Sequence, residues 1–230
     1  MAQTVEFKSN GSTASGYLVT PASGSGPGVL VLQEWWGLDS GTKQMADKLG
    51  EAGFVALAPD LYHGELAQHT EMDKAGKLMQ SLPPDRAARD MSGAIDYLAG
   101  HKGVTSRGIG VVGFCMGGML GFVIAANRGD KVKALVPFYG FPQGPMEPDW
   151  STLTAKVSGH MAENDNFFKP EAARALEARL RGMGKDVTLT VHPGTGHAFM
   201  APHNALGTHN AEKAKEIWPK VVSFLRENLT

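Results

Sequence analysis

The chain is predicted to form a doubly wound α/β protein, with one mostly parallel sheet and helices on both faces. Three observations carry this. Runs such as Val29-Leu30-Val31-Leu32 and Ile109-Gly110-Val111-Val112 are almost wholly apolar, as strands buried on both faces require. Between such runs lie stretches with apolar residues at helical spacing, for example Ala87, Met91, Ala94, Ile95 and Leu98. The second run then passes through a glycine-rich bend straight into another helical pattern, Met119, Leu120, Phe122, Val123 and Ala126. Strands that alternate with helices make a parallel sheet whose chemistry collects at the carboxyl ends of its strands.

In chain order, residues 4–8 and 16–20 alternate weakly and predict an antiparallel pair across Asn10-Gly11, a turn dipeptide. Residues 21–28 form a loop rich in Gly, Ser and Pro, and 29–33 a central strand. A helix is predicted over 42–52, with Met45, Ala46 and Leu49 on one face and Gly53 closing it. Residues 54–58 form a strand stopped by Pro59-Asp60, and 61–84 a loop followed by a helix over 72–79. A helix over 85–99 leads to the strand at 109–112 and the helix after the bend. Strands at 134–138, 156–160 and 187–192 follow, with a proline-rich loop at 140–148 and a helix over 170–183. A last helix spans about 210–228, with Pro219 expected to kink it. Neither a repeat nor a linker interrupts this pattern, so a single domain over 1–230 is expected.

Composition narrows the function. The chain has 230 residues, 22 basic against 23 acidic, and a formal charge of -1. It offers no basic stripe for nucleic acid, and no apolar run approaches the roughly 20 residues of a membrane helix. The opening residues lack the features of a signal peptide. A single cysteine excludes an internal disulfide and fits a reducing, cytoplasmic setting. No cluster with metal-ligand spacing is present, so neither metal nor cofactor is expected, and a monomer is expected.

That cysteine is Cys115, at the apex of Gly113-Phe114-Cys115-Met116-Gly117-Gly118. Gly-x-nucleophile-x-Gly between strand and helix is the nucleophile-elbow pattern, usually built on serine. The opening amides of the following helix favour a thiolate or an oxyanion. A buried structural cysteine is the plainer reading of the same stretch.

A nucleophile needs a base, and the base an orienting acid. In elbow enzymes the chain order is nucleophile, acid, histidine. Asp165 follows the strand at 156–160 and is favoured, with Glu163 second; Asp149 lies in the proline-rich loop, and Asp186 at the wrong end of a strand. Of the five histidines after Cys115, His197 sits in Pro193-Gly194-Thr195-Gly196-His197, a flexible loop after the last strand, and is chosen. His192 stays in strand register, His160 packs at a strand end, and His203 and His209 read as surface residues. The backbone amides of Met116 and Trp35 stand where an oxyanion hole forms. Glu34, so near a thiol, should oppose thiolate formation.

With Gln33-Glu34-x-x-Gly37, the Cys115 elbow, Asp165-Asn166-Phe167 and Gly196-His197-Ala198-Phe199 in place, the chain resembles the dienelactone hydrolase (carboxymethylenebutenolidase) family over nearly its whole length. The resemblance implies a single-domain α/β-hydrolase fold and a Cys115, Asp165, His197 triad. It also implies that Glu34 holds the resting thiol neutral and turned from His197 until substrate binds. Trp36, Tyr139, Phe167, Ala198 and Phe199 would line an aromatic pocket. The family's dienelactone-specific members are expected to clamp a substrate carboxylate with two arginines. Here one of those positions is Ala201, and the helix after Tyr62 offers only Lys74 and Lys77 before Arg86. The expected activity is hydrolysis of lactones or small activated esters. Larger or polyester-type esters are the alternative, and a non-catalytic thiol redox protein the more distant one.

Overall fold

The computed structural model describes residues 1–9 and 11–229. Its strands are β1 (Ala2–Ser9), β2 (Ser12–Val19), β3 (Gly26–Leu32), β4 (Val55–Pro59), β5 (Val104–Phe114), β6 (Val132–Phe138), β7 (Lys156–Asn164) and β8 (Val187–Gly196). Its helices are α1 (Ser40–Glu51), α2 (Met72–Ser81), α3 (Pro84–Gly100), α4 (Met116–Asn127), α5 (Pro170–Gly182) and α6 (Ala211–Asn228). The strands form one sheet in the order β1-β2-β4-β3-β5-β6-β7-β8. β1 and β2 pair antiparallel, as does β2 with β4, and every pair from β4 onward is parallel. Of the expected Asn10-Gly11 turn, Asn10 lies outside the described residues, and Gly11 has φ of 100°.

Alternation along each central strand divides the core in two. Leu30, Leu32, Val111 and Leu135 point to the face covered by α2, α3, α4 and α5. Val29, Val31, Val112, Ala134 and Val136 point to the face covered by α1 and α6. A continuous apolar strand is thus two half-patterns, each serving one layer. α4 is apolar all round and is buried at Met116, Leu120, Phe122, Ile124 and Ala126, as a helix packed in the middle of a layer must be. α1 starts at Asp39, whose Oδ1 accepts from the Thr42 amide at 2.8 Å, so its first turn is capped.

The strands run further than their apolar runs indicate. β5 begins at Val104, β7 continues to Asn164 and β8 to Gly196, through Pro193. β8 lies at the sheet edge with only β7 as neighbour, where a missing proline N–H is tolerated. α6 carries Pro219 within its span, and two 3-10 turns, Gly144–Met146 and Trp150–Thr152, stand in the stretch between β6 and β7.

Register at the carboxyl edge positions the chemistry. Leu32 pairs with Gly113, so the chains leaving β3 and β5 emerge side by side with Glu34 and Cys115 near one another. Asn164 pairs with Gly196 after a register shift, so Asp165 and His197 are the next residue on each strand. A bulge at that point re-aims the side chains beyond it.

His160 and His192 are buried beneath this edge, with Nδ1 of the first 3.0 Å from Nε2 of the second. Burial, then the neighbouring imidazole, holds His160 down at about 3; burial, then Lys213, holds His192 down at about 4. Both stay neutral in the folded chain at pH values where an unfolded histidine, near 6.5, takes a proton. Stability is therefore full above about pH 6.5 and falls as the pH drops toward the folded values. The expected slope is up to about 1.4 kcal/mol per pH unit for His160 and less for the more accessible His192. Urea midpoints of the wild type should drop between pH 7.5 and 5.0, and a His160→Leu/His192→Leu chain should show a flatter profile. Equal wild-type midpoints at the two pH values would refute this.

Candidate active site

The bend between β5 and α4 is built from backbone contact. Cys115 has φ of 53° and ψ of -116°, a left-handed conformation unusual for a residue with a side chain. Its amide donates to the Phe138 carbonyl at 3.0 Å, and its carbonyl accepts from Gly118 at 3.0 Å and Met119 at 3.2 Å. A Cβ at Gly113 would lie 2.0 Å from the Gly117 carbonyl oxygen, and one at Gly117 2.4 Å from that of Leu32. These two glycines are required because strand, bend and helix backbone touch directly. The first amides of α4 have no intrahelical acceptor and are oriented toward the bend.

Asp165 is 5% exposed and fully engaged. Its Oδ1 accepts from the amides of Phe167 at 2.8 Å and Phe168 at 2.9 Å, while Oδ2 lies 2.8 Å from His197 Nδ1. Two backbone donors thus fix the carboxylate that fixes the imidazole. The Thr208 hydroxyl donates to the His197 carbonyl, tying the loop down further. Burial disfavours the imidazolium, but the neighbouring Cys115 sulfur and the Asp165 carboxylate outweigh it and carry His197 up to about 10.

A cavity of about 480 Å³ opens over Cys115 and His197. Of the residues expected to line it, Trp36, Phe167 and Ala198 do, and Trp35 and Met116, expected to supply oxyanion amides, line it as well. Phe167 stands at the rim, 58% exposed, its ring 4.9 Å from that of His197. Tyr139 and Phe199 do not line it. Both are fully buried, Tyr139 lying edge-on to His197 at 5.1 Å and to Phe199 at 5.4 Å, so they back the imidazole instead of facing a substrate. They are apolar-bodied residues next to the core of α6 and β6, and packing there buries them.

Glu34 is 8% exposed, not a solvated loop acid. Its Oε2 accepts from His203 Nε2 at 2.8 Å. His203 Nδ1 accepts from the Ala205 amide at 3.1 Å, so the proton of a neutral ring belongs on Nε2, facing Glu34. The expectation that His203 lies on the surface is therefore corrected: its side chain is 7% exposed and stacks on His69 at 4.0 Å, with Trp36 edge-on to both. His69 Nε2 in turn sits 2.7 Å from Asp39 Oδ2. Asp39, His69 and His203 could converge on a cation, with ligand atoms within 4.8 Å of one another. Each imidazole Nε2, however, already has a carboxylate partner, and binding would take His203 from Glu34.

Tyr62 escaped the sequence reading. Its hydroxyl is 3.2 Å from the Trp35 carbonyl and 3.4 Å from Met116 Sδ, so it braces both loops that face the cavity. Burial and then the nearby Cys115 sulfur hold this phenol well above its usual range. Glu163, the second choice of acid, is exposed and accepts from the Gly194 amide at 2.9 Å. Asp149 accepts from the Ser151 amide, and Asp186 is exposed at the far end of β8. A second set, Ser9, Asp90 and His63, has the carboxylate between the other two, with the Ser9 hydroxyl donating to Oδ1 and His63 at Oδ2. The histidine does not touch the serine and cannot act as its base.

Sheet order, bend and carboxyl-edge cavity define an α/β-hydrolase. Residues 14–229 match the model of the Dienelactone hydrolase family. Protein usf of Aquifex pyrophilus is 35% identical over 236 residues, covering 100% of both chains. A protein of Aquifex aeolicus (strain VF5) assigned by name to the carboxymethylenebutenolidases is 34% identical over 235 residues, again with 100% of both covered. Among solved structures, m3DLH superposes with a TM-score of 0.86 at 24% identity, over 100% of this chain and 99% of that one. A dienelactone hydrolase-like promiscuous phosphotriesterase from metagenomic libraries gives 0.84 at 22% identity, over 100% and 99%. Those last two likenesses are of fold. The chain belongs to the dienelactone hydrolase family and is a carboxylic ester hydrolase. Among the described residues, no helix is long and apolar enough to cross a membrane.

Gly113→Ala should lower unfolding free energy by about 1–3 kcal/mol, because backbone must move to admit the methyl group. Gly100→Ala, where a Cβ meets nothing within 4 Å, is the control and should stay within about 0.5 kcal/mol. Urea unfolding distinguishes the two; equal effects would show that the bend is loosely packed.

Proposed function

We propose that the enzyme hydrolyses lactones or small activated carboxylic esters through a thioester on Cys115, with His197 as acid and base and Asp165 orienting it. The single observation that carries the reading is the bond from His197 Nδ1 to Asp165 Oδ2, 2.8 Å, under a cavity that also holds the Cys115 thiol. The Cys115 thiolate attacks the acyl carbon, and charge on the carbonyl oxygen is met by the Met116 and Trp35 amides. The C–O bond then breaks, and the leaving oxygen takes the His197 proton. Neutral His197 next removes a proton from water, the water oxygen attacks the thioester, and the C–S bond breaks to return thiolate and imidazolium. Glu34 is assigned to disfavouring the resting thiolate, with His203 holding its carboxylate in place. The cavity volume of about 480 Å³ also favours the alternative of larger esters, since it exceeds what a small lactone fills. Membership of a hydrolase family argues against the redox reading.

Cys115→Ala should leave a folded protein with kcat on a p-nitrophenyl ester reduced at least ~10³-fold. Intact-protein mass spectrometry of quenched wild type should show an acyl adduct that this variant lacks. Persistent turnover without an adduct would overturn the thioester.

Because Cys115 and Asp165 raise His197 to about 10, kcat/KM should fall on the alkaline side with an apparent pKa near that value. Asp165→Asn removes one of the raising causes, so the limb should move to lower pH. A limb that stays put would mean that Asp165 does not act on this imidazole.

A further inference from the structure

Resting on the reading of the cavity as an ester site, we infer that the enzyme takes uncharged, apolar substrates and discriminates against those carrying a free carboxylate, with Glu34 as the residue that sets the discrimination. None of the described residues that line the cavity is a lysine or an arginine. Its formal charges come from Glu34 and from His197 and His203.

Neither histidine is free to receive an anion. His203 gives its Nε2 to Glu34 at 2.8 Å and its Nδ1 to the Ala205 amide at 3.1 Å. The Glu34–His203 pair thus carries zero charge when the ring is protonated and one negative charge when it is not. It is never a net cation. His197 gives Nδ1 to the buried Asp165 carboxylate at 2.8 Å, which balances an imidazolium, so that cluster too has no positive surplus.

The nearby cations face elsewhere. Lys74 and Lys77 on α2 line a separate surface depression with Glu71 and Asp73, while Met79 and Gln80 are the α2 residues that reach the cavity. Arg86 turns its guanidinium to the Leu61 carbonyl at 3.4 Å. Ala201, four residues beyond His197, is buried beside Glu34 and offers only a methyl group. What remains for contact is mostly apolar, chiefly Trp35, Trp36, Met119, Met146, Phe167 and Leu206, with the neutral amides of Gln80 and Gln143 among them. Such a wall gains from burying apolar surface and offers a desolvated carboxylate at most neutral amide donors, with no counter-charge. The same wall suits an alkyl or aryl acyl group, whose fit is aided by adaptable methionines.

The test compares p-nitrophenyl hexanoate with mono-p-nitrophenyl adipate, which share a leaving group and an acyl length and differ by a terminal carboxylate. Wild-type kcat/KM should be at least ~10-fold lower for the adipate, as like-charge juxtaposition without a counter-ion demands. The ratio should shrink as ionic strength is raised, and shrink again in Glu34→Gln, compared within that variant. His203→Gln keeps a donor to Glu34 while removing any positive charge, so its ratio should be no smaller than that of wild type. Equal rates on the two esters, or preference for the adipate, would overturn the inference and leave ester hydrolysis standing. Turnover of both by Cys115→Ala with the ratio preserved would overturn the thioester and leave the inference standing. Turnover of neither by folded wild type would overturn both.

Discussion

The whole site hangs on a contact between backbones: β5 must turn into α4 within a space too small for a methyl group. Gly113 and Gly117 nearly touch across the turn, and Cys115 is left in the left-handed region at its apex. Strain of this kind survives only where the surroundings over-determine it. Here they do, through the Phe138 carbonyl behind Cys115 and the buried apolar faces of α4 against the sheet. The thiol is therefore presented by the rigid middle of the molecule, beside the end of β3 that supplies Glu34 and Trp35. Nothing in the side chain of Cys115 alone would accomplish this.

His197 and Asp165 come from a different part of the sheet and by a different device. Asp165 and His197 are consecutive exits of two paired strands, and a register shift just before them turns both toward the centre. Asp165 is held by two amides of its own loop, so its carboxylate is oriented before it meets the imidazole. Polar residues buried together in this way satisfy one another, and the arrangement is defined by hydrogen bonds more than by packing.

The fold was legible because its signals are local. Buried strands announce themselves as apolar runs, and helices as apolar spacing. The bend shows as glycines around a lone cysteine. Asp165 and His197 could be selected because both stand just after strands, where an α/β sheet exposes its loops. The environment of Glu34 could not be read. His203 looks like any polar residue in a turn, and its burial depends on Trp36 and His69, which are distant in sequence. Tyr62 is similar, since its hydroxyl matters only once β4 brings its loop against Trp35. Tyr139 and Phe199 misled in the opposite sense: aromatic residues near the His197 loop suggest a pocket, but the face under α6 claims them for the core. Strand ends were underestimated as well, because β5, β7 and β8 continue in polar or glycine-rich sequence that only sheet pairing holds extended.

The placement of β8 has one more implication. It is the outermost strand, hydrogen-bonded on a single side, yet it carries His197 at its tip. Partial detachment of that margin would part the imidazole from its carboxylate while the central strands and the thiol stayed intact. Openings of this sub-global sort need less free energy than complete unfolding. On the proposed mechanism, warming should therefore idle the catalyst in molecules whose interior remains ordered, with the durability of function set by the rim of the sheet and that of the structure by its middle.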